Sequence, residues 1–192
     1  MTIPNVAAKP PAATSAPFLT DVQTLRQRAR SHMEEGAVTP SYGGDREAVV
    51  KVLNDALATE IVCVLRYKRH YFMAQGIASD SVKQEFLEHA GEEQEHADRI
   101  AERIVQLGGE PDLDPATLTG RAHSEYVPGK TLVDMIREDL VAERVAIESY
   151  REIVEWLHGK DPTTHRMLRE ILAVEEEHAE DMSSLLAGIK AD

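Results

Sequence analysis

Two copies of a Glu-x-x-His pattern are the residues of this chain best suited to chemistry: Glu93 with His96, and Glu175 with His178. The two side chains of each pair lie three residues apart, so on a helix they project from one face as neighbours. A neighbouring carboxylate and imidazole can bind a divalent metal ion, although a single such pair is common on solvated helices. The pattern recurs after 82 residues (93 to 175), and this repetition favours a metal site over coincidence.

An isolated glutamate precedes each pair at nearly the same distance. Glu60 lies 33 residues before Glu93 (60 to 93), and Glu143 lies 32 residues before Glu175 (143 to 175). The spacing predicts two similar helical hairpins, each of which contributes one glutamate and one Glu-x-x-His pair.

All six residues fall on apolar stripes whose members are three or four residues apart, the spacing of one helix face. The four stripes are Leu53, Leu57, Glu60, Val64, Tyr67 and Tyr71; Val82, Phe86, His89, Glu93, His96, Ile100, Ile104 and Leu107; Ile136, Leu140, Glu143, Ile147, Tyr150 and Val154; and Leu168, Leu172, Glu175, His178, Met182 and Leu185. Buried carboxylates are costly unless they are paired or bind metal, and no Lys or Arg interrupts these stripes. Two divalent ions would balance four carboxylate charges, so the sequence predicts a dinuclear metal site.

Composition narrows the class of protein. A chain of 192 residues is long enough for one domain with a sizeable core. The net charge of −13 argues against general affinity for nucleic acid or anionic membranes. Cys63 is the single cysteine, which rules out an internal disulfide and a Cys-x-x-Cys module. No apolar run reaches membrane-spanning length, and a cytoplasmic location is the expectation.

The amino-terminal part divides into a tail and a short helix. Residues 1–18 are rich in Pro and Ala and are expected to be disordered. Residues 19–44 are expected to hold a short helix and a linker. Thr20 and Gln23 suggest a capping box at the start of this helix, and Gly36 suggests its end, near Glu35.

Residues 45–192 are expected to form the main domain, an all-α four-helix bundle. Long helices are predicted at about 46–75, 80–107 and 131–158, with a fourth that ends near Ile189. Helices of about 28 residues are roughly 42 Å long, and residues 109–130 can span that distance at about 3.3 Å each. The prediction is therefore a bundle with one long crossover between helices 2 and 3, in addition to the short amino-terminal helix.

Residues 53–60 (LNDALATE) and 93–99 (EQEHADR) resemble the ferritin-like dimetal-carboxylate proteins, in particular bacterioferritin. The resemblance covers roughly residues 46–189. It implies six metal ligands, in which Glu93 and Glu175 bridge two ions: Glu60, Glu93, His96, Glu143, Glu175 and His178. By the same resemblance Glu60 and His96 bind one ion, while Glu143 and His178 bind the other. Tyr67 matches a tyrosine linked to electron or radical transfer there, and the alternative is a core tyrosine with a bonded hydroxyl.

Two departures from bacterioferritin bear on cofactor and assembly. Bacterioferritins usually bind haem through a Met that follows the second-helix ligand, and this chain has Gln94 there, so no haem is predicted. The chain ends at Asp192, without the short fifth helix of the large cages. This favours a homo-oligomer of twelve, as in the mini-ferritins, over one of twenty-four. Mini-ferritins place their metals between subunits, whereas this ligand set is complete within one bundle.

Hard carboxylates with one imidazole for each metal suit iron or manganese better than they suit a closed structural zinc site. The predicted function is a ferroxidase that oxidises Fe(II) at a two-iron site with dioxygen or peroxide, coupled to iron storage or detoxification. The expected catalytic residues are the six ligands and Tyr67. Glu88, His89 and Glu92 are candidates for relaying iron, although solvated helix positions explain Glu88 and Glu92 equally well. The alternatives are manganese in place of iron, a rubrerythrin-like peroxidase or manganese catalase, and a Dps-like protein that protects DNA through Arg26, Arg28 and Arg30.

Overall fold

The computed structural model describes residues 20–76 and 79–191 of the chain. All regular secondary structure in these two ranges is helical, which confirms the predicted all-α class. The α-helices are α1 (Val22–Arg28), α2 (Arg46–Met73), α3 (Ser79–Gln106), α4 (Leu118–Arg121), α5 (Leu132–Leu157) and α6 (Pro162–Ala191), with a 3₁₀ turn at Met33–Glu35. The tail predicted at residues 1–18 lies outside the described residues.

The capping prediction for the first helix is wrong. Asp21 rather than Thr20 caps α1, because its carboxylate accepts hydrogen bonds from the N–H groups of Gln23 and Thr24. The helix also ends at Arg28, seven residues before the predicted end at Glu35 (28 to 35). The chain then turns through His32, whose φ of 52° lies in the left-handed region and cannot continue an α-helix.

Local sequence signals explain where the long helices begin. The Asp45 carboxylate accepts from the N–H of Ala48 at the start of α2. Thr131 and Asp134 form a reciprocal capping box at the start of α5. At the start of α6, Pro162 occupies the first turn and Asp161 accepts from the N–H of Thr164. These caps fix the residues at which α2, α5 and α6 begin.

The helices pack as two hairpins, α2 with α3 and α5 with α6, joined by the predicted crossover. Side chains of α2 hold that crossover, which explains how a long segment with little helix is ordered. The contacts, in order along α2, are Asn54 with Glu110 and Asp112, Thr59 with His123, Arg66 with Glu125, and His70 with Pro128. Among the described residues, no helix is long and apolar enough to cross a membrane.

Two apolar layers enclose the middle of the bundle. One contains Leu53, Leu57, Ile100, Ile104, Leu157 and Leu168. The other contains Val82, Phe86, Ile136 and Met182. The polar residues of the predicted site lie between the layers, at mid-height of their helices, so the surrounding packing holds them rigidly.

A buried ion pair beside the second layer was not predicted. Arg66 is fully buried and its Nε donates to Asp139 at 2.8 Å, while His70 Nδ1 lies 2.8 Å from the other Asp139 oxygen. Arg66 also contacts the sulfur of Cys63, a residue that is buried as expected. This network links α2 to α5 across the bundle.

Candidate metal centre

The structure brings the six predicted ligands into one cavity at the centre of the bundle. Each residue is at least 96% buried, with exposed fractions between 0% and 4%. Their ligand atoms form two sets in which every atom lies within 4.8 Å of the others. The first set is Glu60, Glu93, His96 and Glu175, and the second is Glu93, Glu143, Glu175 and His178. Glu93 and Glu175 belong to both sets, which is the geometry required of bridging carboxylates.

Eight side-chain atoms in this cavity are buried without a hydrogen-bond partner. They are one oxygen each of Glu60 and Glu143, both oxygens of Glu93 and Glu175, and the Nδ1 atoms of His96 and His178. No other described residue contributes to this group. Buried polar atoms normally have partners, because each unsatisfied atom costs about 1–3 kcal/mol. Two divalent ions would satisfy all eight atoms, with four ligand atoms for each ion, so the residues fit the predicted centre.

Glu60 and Glu143, the outer glutamates, belong to one set each. The second oxygen of each accepts a hydrogen bond from one tyrosine. Tyr67 donates its hydroxyl hydrogen to Glu143 at 2.5 Å, and Tyr150 donates to Glu60. Tyr67 on α2 therefore contacts a glutamate of α5. The role of Tyr150 was missed, although the sequence holds a signal for it. Each tyrosine follows a glutamate by seven residues (60 to 67 and 143 to 150).

The histidine rings present Nδ1 to the cavity. His96 Nδ1 lies 2.9 Å from an oxygen of Glu175, and His178 Nδ1 lies 3.6 Å from an oxygen of Glu93. His178 Nε2 lies 2.7 Å from Glu92 on α3. A carboxylate behind a histidine holds the proton on the outer nitrogen and leaves the inner one free to bind metal. Glu92 is therefore a positioning residue for His178, which the sequence pattern did not distinguish from a solvated acid.

The ionisable groups of the cavity share protons. Burial and the charge of Glu93 raise the pKa of Glu60 to about 8, and burial with neighbouring charges raises the pKa of Glu175 well above its usual range. Burial opposes the charged imidazoles, but contacts with carboxylates outweigh it and raise the pKa of His96 to about 10 and that of His178 to about 9. These contacts also lower the pKa of Glu93, although burial opposes this. At pH 7 protons therefore partly neutralise the carboxylates.

His89 forms a second layer above the cavity. Its ring stacks on that of His178, with centroids 3.9 Å apart and planes at 19°. Its Nδ1 lies 3.2 Å from the hydroxyl oxygen of Tyr67. Burial and the charge of His178 lower the pKa of His89 to about 3. Glu88, the other relay candidate on this helix, is exposed and makes none of these contacts.

The fold and this cavity define a class of protein: helix bundles whose core holds a ring of carboxylates and imidazoles. The family model described as Ferritin, the ferritin-like domain, matches residues 50–191. The chain belongs to this ferritin-like family, as the sequence motifs predicted.

Relatives of this chain include proteins named for DNA protection and proteins named bacterioferritin. A DNA protection during starvation protein of Pyrococcus furiosus is 30% identical over 149 residues, covering 76% of this chain and 80% of the relative. The bacterioferritin-related protein of Bacteroides fragilis, described as a dodecameric thioferritin, is 35% identical with a TM-score of 0.75, covering 78% and 90%. The bacterioferritin of Desulfovibrio desulfuricans, described with a diiron site, is 25% identical with a TM-score of 0.68, covering 77% and 85%.

Proposed function

We propose that the central cavity is a ferroxidase site, at which each subunit binds two Fe(II) ions as substrate and oxidises them with dioxygen or peroxide. The observation that carries this proposal is the set of eight unpartnered ligand atoms, divided equally between two positions with two shared carboxylates. The diiron site described for the Desulfovibrio desulfuricans bacterioferritin supports iron as the metal.

The ligand chemistry favours an oxidisable metal ion. Each position offers three carboxylate oxygens and one imidazole nitrogen, a hard donor set that suits iron or manganese and leaves positions for an oxidant. Two Fe(II) ions together supply two electrons, which reduce one hydrogen peroxide molecule to two waters with the uptake of two protons. Anionic carboxylates then stabilise the higher charge of the ferric product.

The surrounding side chains hold the ligands in position. Tyr67 and Tyr150 each occupy one oxygen of an outer glutamate, which leaves one oxygen of Glu143 and one of Glu60 to bind metal. Glu92 orients His178. Tyr67 is also a candidate electron donor because its hydroxyl contacts a ligand. Tyr150 makes the equivalent contact on the other side, so the same reasoning applies to both tyrosines.

We further propose that the oxidation serves iron storage or detoxification within a homo-oligomeric cage of twelve subunits. The dodecameric thioferritin of Bacteroides fragilis, which is similar over most of this chain, supports twelve rather than twenty-four. The name of the Pyrococcus furiosus relative suggests protection of DNA as a second function. The net charge of −13 opposes direct binding to phosphate, so we favour protection through removal of Fe(II) and peroxide.

The test compares the rate of Fe(II) oxidation by the Glu93→Gln variant with that of the wild type. The Glu95→Gln variant is the matched control. The two residues lie on the same helix, but Glu93 is 99% buried in the cavity and Glu95 is exposed. Stopped-flow absorption after anaerobic loading and addition of oxygen measures the rate. Loss of residues that only orient a ligand costs about 10–100-fold, so loss of a bridging ligand should slow oxidation at least about 100-fold. Glu95→Gln should behave as the wild type.

The opposite outcome has a clear physical meaning. If Glu93 is only an acid trapped in the core, the amide removes a desolvation cost and stabilises the protein without loss of function. Wild-type oxidation kinetics in Glu93→Gln, together with greater thermal stability, would overturn the proposed function.

A further inference from the structure

The two halves of the bundle repeat the ligands of the central cavity but not the side chains that support them. The ligands of α3 recur on α6 after 82 residues (93 to 175). At the same spacing, His89 corresponds to Ile171 (89 to 171) and Glu92 corresponds to Val174 (92 to 174). The repeat therefore replaces two polar residues of α3 by two apolar residues of α6.

This difference affects the two metal positions unequally. Each position has one glutamate and one histidine that it does not share, which distinguishes a Glu143–His178 position from a Glu60–His96 position. His89 and Glu92 both contact His178. The polar support therefore belongs to the Glu143–His178 position.

Glu92 supports His178 by a hydrogen bond that has no counterpart at His96. An oxygen of Glu92 lies 2.7 Å from Nε2 of His178, while Nδ1 of that ring faces the cavity. Among the described residues, every carboxylate contact of His96 is made by Nδ1, the nitrogen that faces the cavity. A carboxylate behind a histidine fixes the ring and makes the inner nitrogen a better ligand. His178 should therefore bind metal more tightly than His96.

His89 restrains both unshared ligands of the Glu143–His178 position. Its ring stacks on that of His178, with centroids 3.9 Å apart and planes at 19°. Its Nδ1 also lies 3.2 Å from the hydroxyl oxygen of Tyr67, and this hydroxyl donates to Glu143. One side chain thus holds the histidine directly and the glutamate through a tyrosine.

The Glu60–His96 position lacks this restraint. The Tyr150 hydroxyl donates to Glu60 and has no other hydrogen-bond partner in the described part of the chain. Ile171, which the repeat places where α3 has His89, is fully buried in an apolar layer and has no hydrogen-bonding group in its side chain. The two positions have the same types of ligand, so the difference between them lies in the residues around the ligands.

We propose that the Glu143–His178 position binds a divalent ion at least about tenfold more tightly than the Glu60–His96 position, and that it fills first. Loss of a residue that orients a metal ligand costs about 10–100-fold in affinity, and only one of the two positions has such residues. Two divalent ions in one cavity repel each other, so subunits with a single ion predominate when metal is scarce. The inequivalence rests on the proposed two-ion centre but not on the oxidation reaction.

The test locates the first ion with Co(II), a divalent ion that accepts the same ligand types as Fe(II). Crystals are grown anaerobically from protein that contains fewer Co(II) ions than subunits, and an anomalous difference map is recorded at the cobalt absorption edge. The peak beside Glu143 and His178 should be at least about tenfold higher than the peak beside Glu60 and His96.

Two variants test whether Glu92 causes the difference. Glu92→Val gives α3 the side chain that the repeat has on α6, and it should reduce the ratio of the two peaks. Glu95→Val removes an exposed carboxylate from the same helix and should keep the wild-type ratio. Anaerobic calorimetric titration with Co(II) should show that the tighter binding constant weakens about 10–100-fold in Glu92→Val. His89→Ile should change the peak ratio in the same direction as Glu92→Val.

The possible failures are distinguishable. Equal peaks in the wild type, or a higher peak beside Glu60 and His96, would overturn the inequivalence and leave the two-ion centre in place. An unchanged peak ratio in Glu92→Val, or an equal change in Glu95→Val, would refute the support by Glu92. Absence of cobalt from the cavity even at saturating Co(II) would overturn the central site, and the inequivalence with it.

Discussion

Binding of metal at the central cavity should release several protons per subunit, a number that can be measured. Three of its groups have a pKa above 7 in the protein, namely Glu60 at about 8, His178 at about 9 and His96 at about 10, and burial with neighbouring charges raises the pKa of Glu175 well above its usual range. The free atoms of these four groups are the ones that face the two metal positions. Because a ligand must be deprotonated to bind metal, loading two ions at pH 7 should release at least about three protons per subunit, from Glu60, His96 and His178.

The sign of the pH dependence follows from the same values. Each raised pKa means that the proton is bound at neutral pH and must be displaced, so metal affinity falls as the pH falls. Below pH 7 the logarithm of the overall binding constant for two ions should rise by at least about three per pH unit. The rise should become shallower above pH 8, where Glu60 has lost its proton.

Isothermal titration calorimetry with anaerobic Fe(II) measures the proton count. The slope of observed enthalpy against buffer ionisation enthalpy, in several buffers at pH 7, gives the protons released. A site built from ordinary solvated carboxylates and two histidines would release only about half a proton at this pH. Glu95→Gln, which changes an exposed charge on the same helix, should give the wild-type count. A count below one per subunit would refute a buried, protonated ligand cluster.

Two further predictions concern stability and assembly. Asp139→Asn removes the partner of the fully buried Arg66 and should destabilise the protein by about 3–5 kcal/mol, measured by denaturant unfolding. Glu152→Gln, at an exposed position of the same helix, should change stability by less than about 0.5 kcal/mol, and equal effects of the two variants would contradict the ion pair. Light scattering at micromolar concentration should give the mass of twelve subunits of 21.3 kDa. The mass of a monomer or simple dimer would contradict iron storage in a cage.

The bundle and the convergence of six residues could be predicted because both follow from helical periodicity. Glu60, Glu93, Glu143 and Glu175 each replace an apolar residue on a stripe, so burying the stripes must bring the acids together. Periodicity assigns residues to a face of their own helix, however, and not to a partner on another helix. The pairing of Tyr67 with Glu143, and of Tyr150 with Glu60, depends on how the hairpins are packed against each other.

Residues beside the stripes were harder to predict for a related reason. Arg66 is charged and lies off the core stripe, which indicates a solvated position, yet the crossover covers it and Asp139 neutralises it. The position of Glu92, next to Glu93, fits an iron relay and a solvated acid equally well, but its carboxylate contacts His178 on the opposing helix, which a pattern along one helix does not predict. At the amino terminus, adjacent Thr20 and Asp21 can both cap a helix, and the local pattern does not decide between them.

The most direct test of the dinuclear centre is an anomalous difference map recorded at the iron absorption edge from crystals loaded anaerobically with Fe(II). Two peaks per subunit should lie between Glu93 and Glu175. One peak should lie within bonding distance of Glu60 and His96, and the other within bonding distance of Glu143 and His178. A single peak in the cavity, or iron bound only to exposed acids, would contradict the dinuclear centre.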